Sequence, residues 1–321
     1  MATETATPGT VRAARVRRFD WREYVVYIGF VLLFVVFAIT LNDDGFLNKT
    51  NLLNIARQSA IIAVMAVAMT MVISAAEIDL SVGSVAGLSS VTTAMVVGDV
   101  GIVPGILVGL GTGFACGALS GALTTYGRIP SFLVTLGMLG IAHGAAMWIS
   151  DTEPKPITNE TFTTIFGTGT IVGIPVLIFW MIGALIVGHI VLRRTPFGRR
   201  VLATGGNESA AAFSGIDTRR VKFAVLLISG TVAGLAGMLY AGRFQSGRFD
   251  WGTGDELSVI AAAILGGTSL FGGKGSIVGA VTGALLMGLI NNGLILMGLD
   301  YSQQQIVRGA IIILAVALAR R

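Results

Sequence analysis

Charge is what this sequence has least of. Asp, Glu, Lys and Arg make up 12% of its 321 residues, about half the share found in soluble domains. A chain so poor in charge has no means of covering a water-facing surface, which excludes an ordinary soluble protein. The single cysteine, Cys116, lies in an apolar stretch and leaves no partner for a disulfide or a thiolate metal site. The two histidines, His143 and His189, are too isolated to build a metal cluster, so no metal ligands are expected. Neither histidine has a Ser/Asp arrangement nearby, no His-Glu-x-x-His occurs, and no carboxylate pair frames a cleft, so no catalytic residue is expected either. The net charge of +5 sits in loops beside apolar runs, which argues against a nucleic-acid partner and for membrane topology signals.

What the sequence has in abundance is apolar length. Hydrophobic residues reach 54% and mean hydropathy +0.81, and a membrane span needs about 20 apolar residues. Ten candidate spans follow: 24–41, 52–75, 82–98, 101–126, 132–150, 171–192, 222–242, 257–271, 276–297 and 303–319. The eighth is short and ends in Gly266-Gly267, the mark of a broken or re-entrant element. The expected fold class is therefore all-α, a polytopic membrane protein of about ten helices. Residues 1–23 form a basic tail, and 24–321 one membrane domain. The run 24–41 exceeds a signal-peptide core of roughly 7–15 residues, and no small-residue cleavage site follows, so a retained first span is expected.

Orientation comes from the basic residues. With the N-terminus inside, sixteen of the 22 Lys and Arg fall on cytoplasmic stretches: Arg12, Arg15, Arg17, Arg18 and Arg22, then Arg128, seven between 192 and 222, Lys274, and Arg320 with Arg321. This bias places both termini and the long loop in the cytoplasm. Glycine is also plentiful, at 44 residues. Gly101, Gly105, Gly109, Gly113, Gly117 and Gly121 fall on every fourth position of the fourth span, and Gly275, Gly279 and Gly283 repeat the device. Such rows let helix backbones approach closely and signify a compact bundle.

Few polar groups interrupt the apolar runs. Glu77, Asp79, Ser81 and Ser84 lie in a tight turn between the second and third spans. Asp79 or Ser81 is suited to accept from the free amides opening the third span, while embedded ionisable groups also mark cavities or paths. Asn291-Asn292 lies deep in the ninth span, where the amides either bond across helices or line a polar path. Arg243 and Arg248, in an outer loop rich in aromatics, suit an interfacial anchor or the docking of an acidic partner. The glycines around Lys274 fail as a phosphate loop: Gly273 stands where the lysine is required, Gly275 follows Lys274 in place of Ser or Thr, and no strand precedes them.

The long interruption, Leu192–Lys222, carries seven basic residues. Its middle reads as a short capped helix, with Asn207 at the N-cap, Glu208 at the positive end of the dipole and Gly215 where a left-handed C-cap is wanted. So short a helix buries little alone and implies a partner surface.

This segment, TPFGRRVLATGGNESAAAFSGI at Thr195–Ile216, resembles the cytoplasmic coupling segment of permease subunits in the ribose-type (monosaccharide) ATP-binding cassette importer family. EIDLSVGS at 77–84, PSFLVTLGM at 130–138 and ELSVIAAAILGGTSLFGGKG at 256–275 resemble three further motifs of that family, in the same order. The resemblance covers roughly residues 45–319. It implies an all-helical permease that pairs as a dimer in the bacterial inner membrane. Its partners are cytoplasmic ATPase subunits, which bind the ATP and Mg, and an extracytoplasmic sugar-binding protein; this chain itself carries no cofactor. The coupling role then falls on Pro196, Phe197, Gly198, Arg199, Arg200, Gly206, Asn207, Ala210, Ala211, Ser214 and Gly215 within the loop 193–221. Glu77, Asp79, Ser81, Ser84, Thr135, Asn291 and Asn292 are the candidates for the substrate path, since sugars need hydrogen-bonding groups, and Arg243 and Arg248 for docking the binding protein. One departure is Ala76-Glu77, where many relatives have two small residues. The alternatives are a nucleoside or branched-chain amino acid importer of the same class, a self-sufficient secondary transporter, which predicts an inverted repeat with mid-membrane ionisable groups, and a channel, for which no filter-like ring is visible.

Overall fold

The computed structural model describes residues 25–319. The basic tail 1–23, its five arginines, and Arg320 and Arg321 lie outside the described residues. The described residues are mainly helical. Helices α1 (Val25–Thr40), α2 (Lys49–Ser74), α3 (Val82–Asp99), α4 (Ile102–Thr125) and α5 (Ser131–Ser150) follow one another through short turns. A longer excursion then holds strand β1 (Lys155–Pro156), the short α6 (Glu160–Thr163), a π-helical turn at Thr164–Thr168, and the hairpin β2 (Thr170–Ile171) and β3 (Ile174–Pro175). After it come α7 (Val176–Arg194), α8 (Pro196–Gly206), α9 (Glu208–Phe213), α10 (Thr218–Phe244), β4 (Ser246–Gly247), α11 (Asp255–Leu265), α12 (Ile277–Leu296) and α13 (Tyr301–Ala319). Strands β1 and β4 pair antiparallel.

Among the described residues, seven helices are long and apolar enough to cross a membrane: α2, α3, α4, α5, α7, α10 and α12. Helices α1, α11 and α13 occupy the other three expected spans. Two boundaries differ from expectation. The span expected from 171 starts at Val176, because the β2–β3 hairpin occupies 170–175 and Pro175 stands at the helix entrance. The span expected over 257–271 is an 11-residue helix that stops before Gly266-Gly267.

Helix α2 is the centre of the bundle, buried almost continuously from Ser59 to Ser74. Helix α4 shows how the periphery attaches. Its glycines 105, 109, 113, 117 and 121 are buried, whereas Val103, Leu107, Phe114, Leu119 and Leu123 are exposed. A Cβ on Gly113 would lie 2.3 Å from the Gly230 carbonyl oxygen of α10. The glycine row is thus a backbone-to-backbone seam, and the large apolar side chains are left for lipid.

Between α2 and α3 the chain does not turn back at once. Residues 77–81 run outside any helix or strand and largely buried before α3 begins. Backbone without helical bonds survives at this depth only when side chains satisfy it. The Ile78 amide donates to Ser131 Oγ at 3.2 Å and the Leu80 amide to Thr135 Oγ1 at 3.1 Å.

Candidate functional site

The interruption at 192–222 is two helices and not one. Thr195 Oγ1 accepts from the Gly198 amide at 3.2 Å and Pro196 occupies the first helical position, so α8 starts at once after α7. Gly198, Val201, Thr204 and Gly205 face inward, while Arg199 and Arg200 are exposed. A Cβ on Gly205 would meet the Ser74 carbonyl oxygen at 1.9 Å. The Gly273 amide donates to that same carbonyl at 3.0 Å. The end of α8 is therefore wedged between the end of α2 and the 266–275 turn. The amides of Gly272 and Gly273 are spent on Ser269 and Ser74, not aimed at a ligand.

Helix α9 has the expected caps. Asn207 Oδ1 accepts from the Ala210 amide at 2.9 Å. At the other end Gly215 adopts φ +83°, its amide reaches Ala212 O at 2.9 Å, and the Ile216 amide reaches Ala211 O at 3.1 Å. This pair of bonds is the Schellman closure, which needs a left-handed residue at Gly215. Ala210, Ser214, Gly206 and Asn207 are exposed, but Ala211 and Gly198 pack into the protein and present nothing to a partner. The residue that the sequence reading missed is Phe213, 93% exposed at the tip of α9. Its signal was a lone aromatic among small residues, but its direction depended on how α9 sits on α10.

Glu77, a candidate for the substrate path, is linked to this element. Lys222 Nζ, at the start of α10, lies 2.8 Å from Glu77 Oε1 and 2.8 Å from Glu208 Oε2. One ammonium thus ties the first turn of α9 to the entrance of the non-helical stretch 77–81. Along that stretch, Asp79 Oδ1 accepts from the Ser81 amide at 2.9 Å and from Ser81 Oγ at 2.6 Å. Neither side chain bonds the opening amides of α3, as capping would require. The bond closes a local turn before the helix, because Ser81 itself stands at the N-cap with its hydroxyl already committed. Ser84 is buried one turn further.

Thr135 holds the stretch from the α5 side, accepting from Leu80 N and donating within 2.8 Å of Ser131 O. Replacing Thr135 with the near-isosteric Val is expected to orphan the buried Leu80 amide and destabilise the protein by about 1–3 kcal/mol. Thermal unfolding in detergent measures it, and Thr135→Ser should stay near wild type. An unchanged Thr135→Val midpoint would show that the hydroxyl does not support the segment.

Residues 51–316 match the family of branched-chain amino acid transport system / permease components. The chain is 40% identical over 298 residues to the ribose import permease protein of Bacillus subtilis, covering 92% of each. It is 34% identical over 319 residues to the L-arabinose ABC transporter permease protein of Azospirillum brasilense, covering 98% of this chain and 93% of the relative. It is 36% identical over 303 residues to the D-allose transport system permease protein of Escherichia coli, covering 94% and 92%. The chain belongs to this permease family. No solved structure matches it.

The remaining candidate residues, Asn291, Asn292, Arg243 and Arg248, lie at the end of the bundle away from α8 and α9. Asn292 pairs reciprocally with Asn51 of α2, at 3.0 and 2.8 Å, and so bonds across helices. Asn291 Oδ1 accepts from the Arg308 guanidinium of α13. Arg248 is paired with Asp250 at 2.8 Å and lies 5.0 Å from the centre of the Trp251 ring. Arg243 stacks on Phe244 at 4.9 Å and faces a cavity of about 140 Å³ between α2, α10, α11, α12 and α13. Both arginines are half-buried rather than projecting.

Proposed function

We propose that this permease is the membrane-spanning subunit of an ATP-binding cassette importer that carries a monosaccharide inward. Three relatives named for ribose, arabinose and allose, each matched over more than nine-tenths of both chains, support the sugar class over amino acids or nucleosides. The observation that carries the mechanism is the capped α9, which exposes Phe213 and is tied through Lys222 to the non-helical stretch at Glu77. The chain has no phosphate loop of its own, so energy enters by docking. In this reading the α8–α9 end is cytoplasmic, as the basic residues require, and both termini share that side. The ten helices lie in the bacterial inner membrane and pair with a second copy. ATP-driven closure of two ATPase subunits moves α8–α9 as a unit, and Arg199, Arg200, Ala210, Phe213 and Ser214 form the docking face. The movement reaches the path through the lysine link and the 77–81 stretch.

The test is Phe213→Asp in the assembled importer. Burying a Phe side chain contributes about 1.5–3 kcal/mol, so ATPase recovered with the permease should fall roughly tenfold or more, and ATP-driven uptake with it. Unchanged association and uptake would remove α9 as the docking element. Uptake by this chain alone in liposomes, without ATP or partners, would overturn the importer reading altogether.

A further inference from the structure

The cavity against Arg243 has a composition that packing does not explain. Five helices contribute to it: Gln58 from α2, Tyr240 and Arg243 from α10, Asp255 and Ser258 from α11, Asn291 from α12 and Arg308 from α13. Two guanidiniums face one carboxylate, and that carboxylate already accepts from the Tyr240 hydroxyl. Arg308 donates to the neutral Asn291 amide. The Arg243 side chain makes no ion pair or hydrogen bond among the described residues; it lies over the face of Phe244 and within electrostatic reach of Tyr240 and Arg57. Charges and amides are rare and functional at membrane depth, and here they converge on an open volume.

We infer that this cavity is a receiving site for the transported monosaccharide within the permease itself, an inference that rests on the sugar-importer reading above. Every sugar hydroxyl both donates and accepts. The cavity offers strong donors in Arg243 and Arg308, an acceptor in Asp255, and groups of both kinds in Gln58, Ser258 and Asn291. An anion would meet the Asp255 carboxylate, and a lipid tail would strand all these groups. Tyr240 and Phe244 line one side of the cavity as stacked rings, an apolar border for the C–H surface of a sugar. The volume of about 140 Å³ is that of a small ligand, well below the roughly 300–1,000 Å³ of sites for drug-sized molecules. Arg243 stands in the last turn of α10 and Asp255 in the first turn of α11. The site therefore lies toward the end opposite α9, the side on which a binding protein would release its sugar. Arg243 acts as a specificity contact inside the path, not as a docking residue on the surface.

The test uses the complete importer (permease, ATPase and binding protein) in proteoliposomes, with labelled D-ribose, L-arabinose and D-allose. In Arg243→Met, sugar moved per ATP hydrolysed is expected to fall at least tenfold, while ATP hydrolysis stays within about twofold of wild type. Gln58→Leu, a milder change at a side chain that makes no hydrogen bond among the described residues, should lower the same ratio about threefold and serves where Arg243→Met does not insert. In a Cys116→Ser background, the transported sugar should slow maleimide labelling of Ser258→Cys at least fivefold without any binding protein. Wild-type sugar-to-ATP ratios in both Arg243→Met and Gln58→Leu would overturn the site. So would protection of Ser258→Cys by gluconate or inorganic phosphate but not by sugar. Failure of the wild-type importer to move any of the three sugars would sink the monosaccharide reading, and this site with it.

Discussion

Lys222→Met is expected to cost the permease both stability and coupling. The lysine side chain is 19% exposed and its partner Glu77 9%, whereas Glu208 is 51% exposed. The pair with Glu208 is close to a surface ion pair, worth about 0.2–1 kcal/mol. The pair with Glu77 is different. Removing one member of a buried pair costs about 3–5 kcal/mol, because the other charge is left without compensation. Residual water at Lys222 places the expected loss near the lower end of that range. Glu208→Gln should therefore cost little, and Lys222→Met much. Adding Glu77→Gln to Lys222→Met should restore most of the unfolding midpoint, since no orphan carboxylate remains. It should not restore uptake per ATP, because the tie between α9 and the 77–81 stretch is still missing. Thermal unfolding and coupled uptake together measure this. Wild-type uptake per ATP in the stabilised double variant would show the link to be structural only.

Gly113→Ala is the second large effect, and one methyl group causes it. The added Cβ would sit 2.3 Å from Gly230 O and 2.8 Å from the Gly234 Cα. Both neighbours are backbone, so no side chain can swing away. Helices α4 and α10 must separate along the whole glycine row, at about 1–3 kcal/mol or more for an overpacked contact. Gly111→Ala, two residues away on the same helix, meets nothing within 4 Å and adds helix propensity worth about 1 kcal/mol. The folded yield in membranes and the unfolding midpoint should therefore move in opposite directions for the two variants. Equal behaviour would mean that α4 is not held by its glycine seam.

These expectations show where the sequence was legible. The glycine row of α4 was readable because a repeat of four marks one helix face whatever packs against it. The caps of α9 were readable because Asn207, Ala210 and Gly215 act within a few residues of one another. Glu77 was not readable. Its partner is 145 positions away, and no spacing rule links the two. The wedging of the end of α8 against Ser74 and Gly273 and the direction of Phe213, set by how α9 sits on α10, were also hidden.

By itself, the sequence determined the solvent, the approximate spans and the local turns. Hydropathy is a sum over neighbouring residues, and caps and glycine rows are local patterns. Only the tertiary structure decided which side of each span faces protein. In a soluble helix the apolar stripe points inward. In these spans lipid is as apolar as the core, so the helices are hydrophobic all round and carry little amphipathic signal. Asn291 and Asn292, adjacent in sequence, illustrate the result. One bonds across to α2 and the other lines a cavity built by five helices. The hundred degrees of helical turn that separate successive residues gain meaning only once the neighbours are in place.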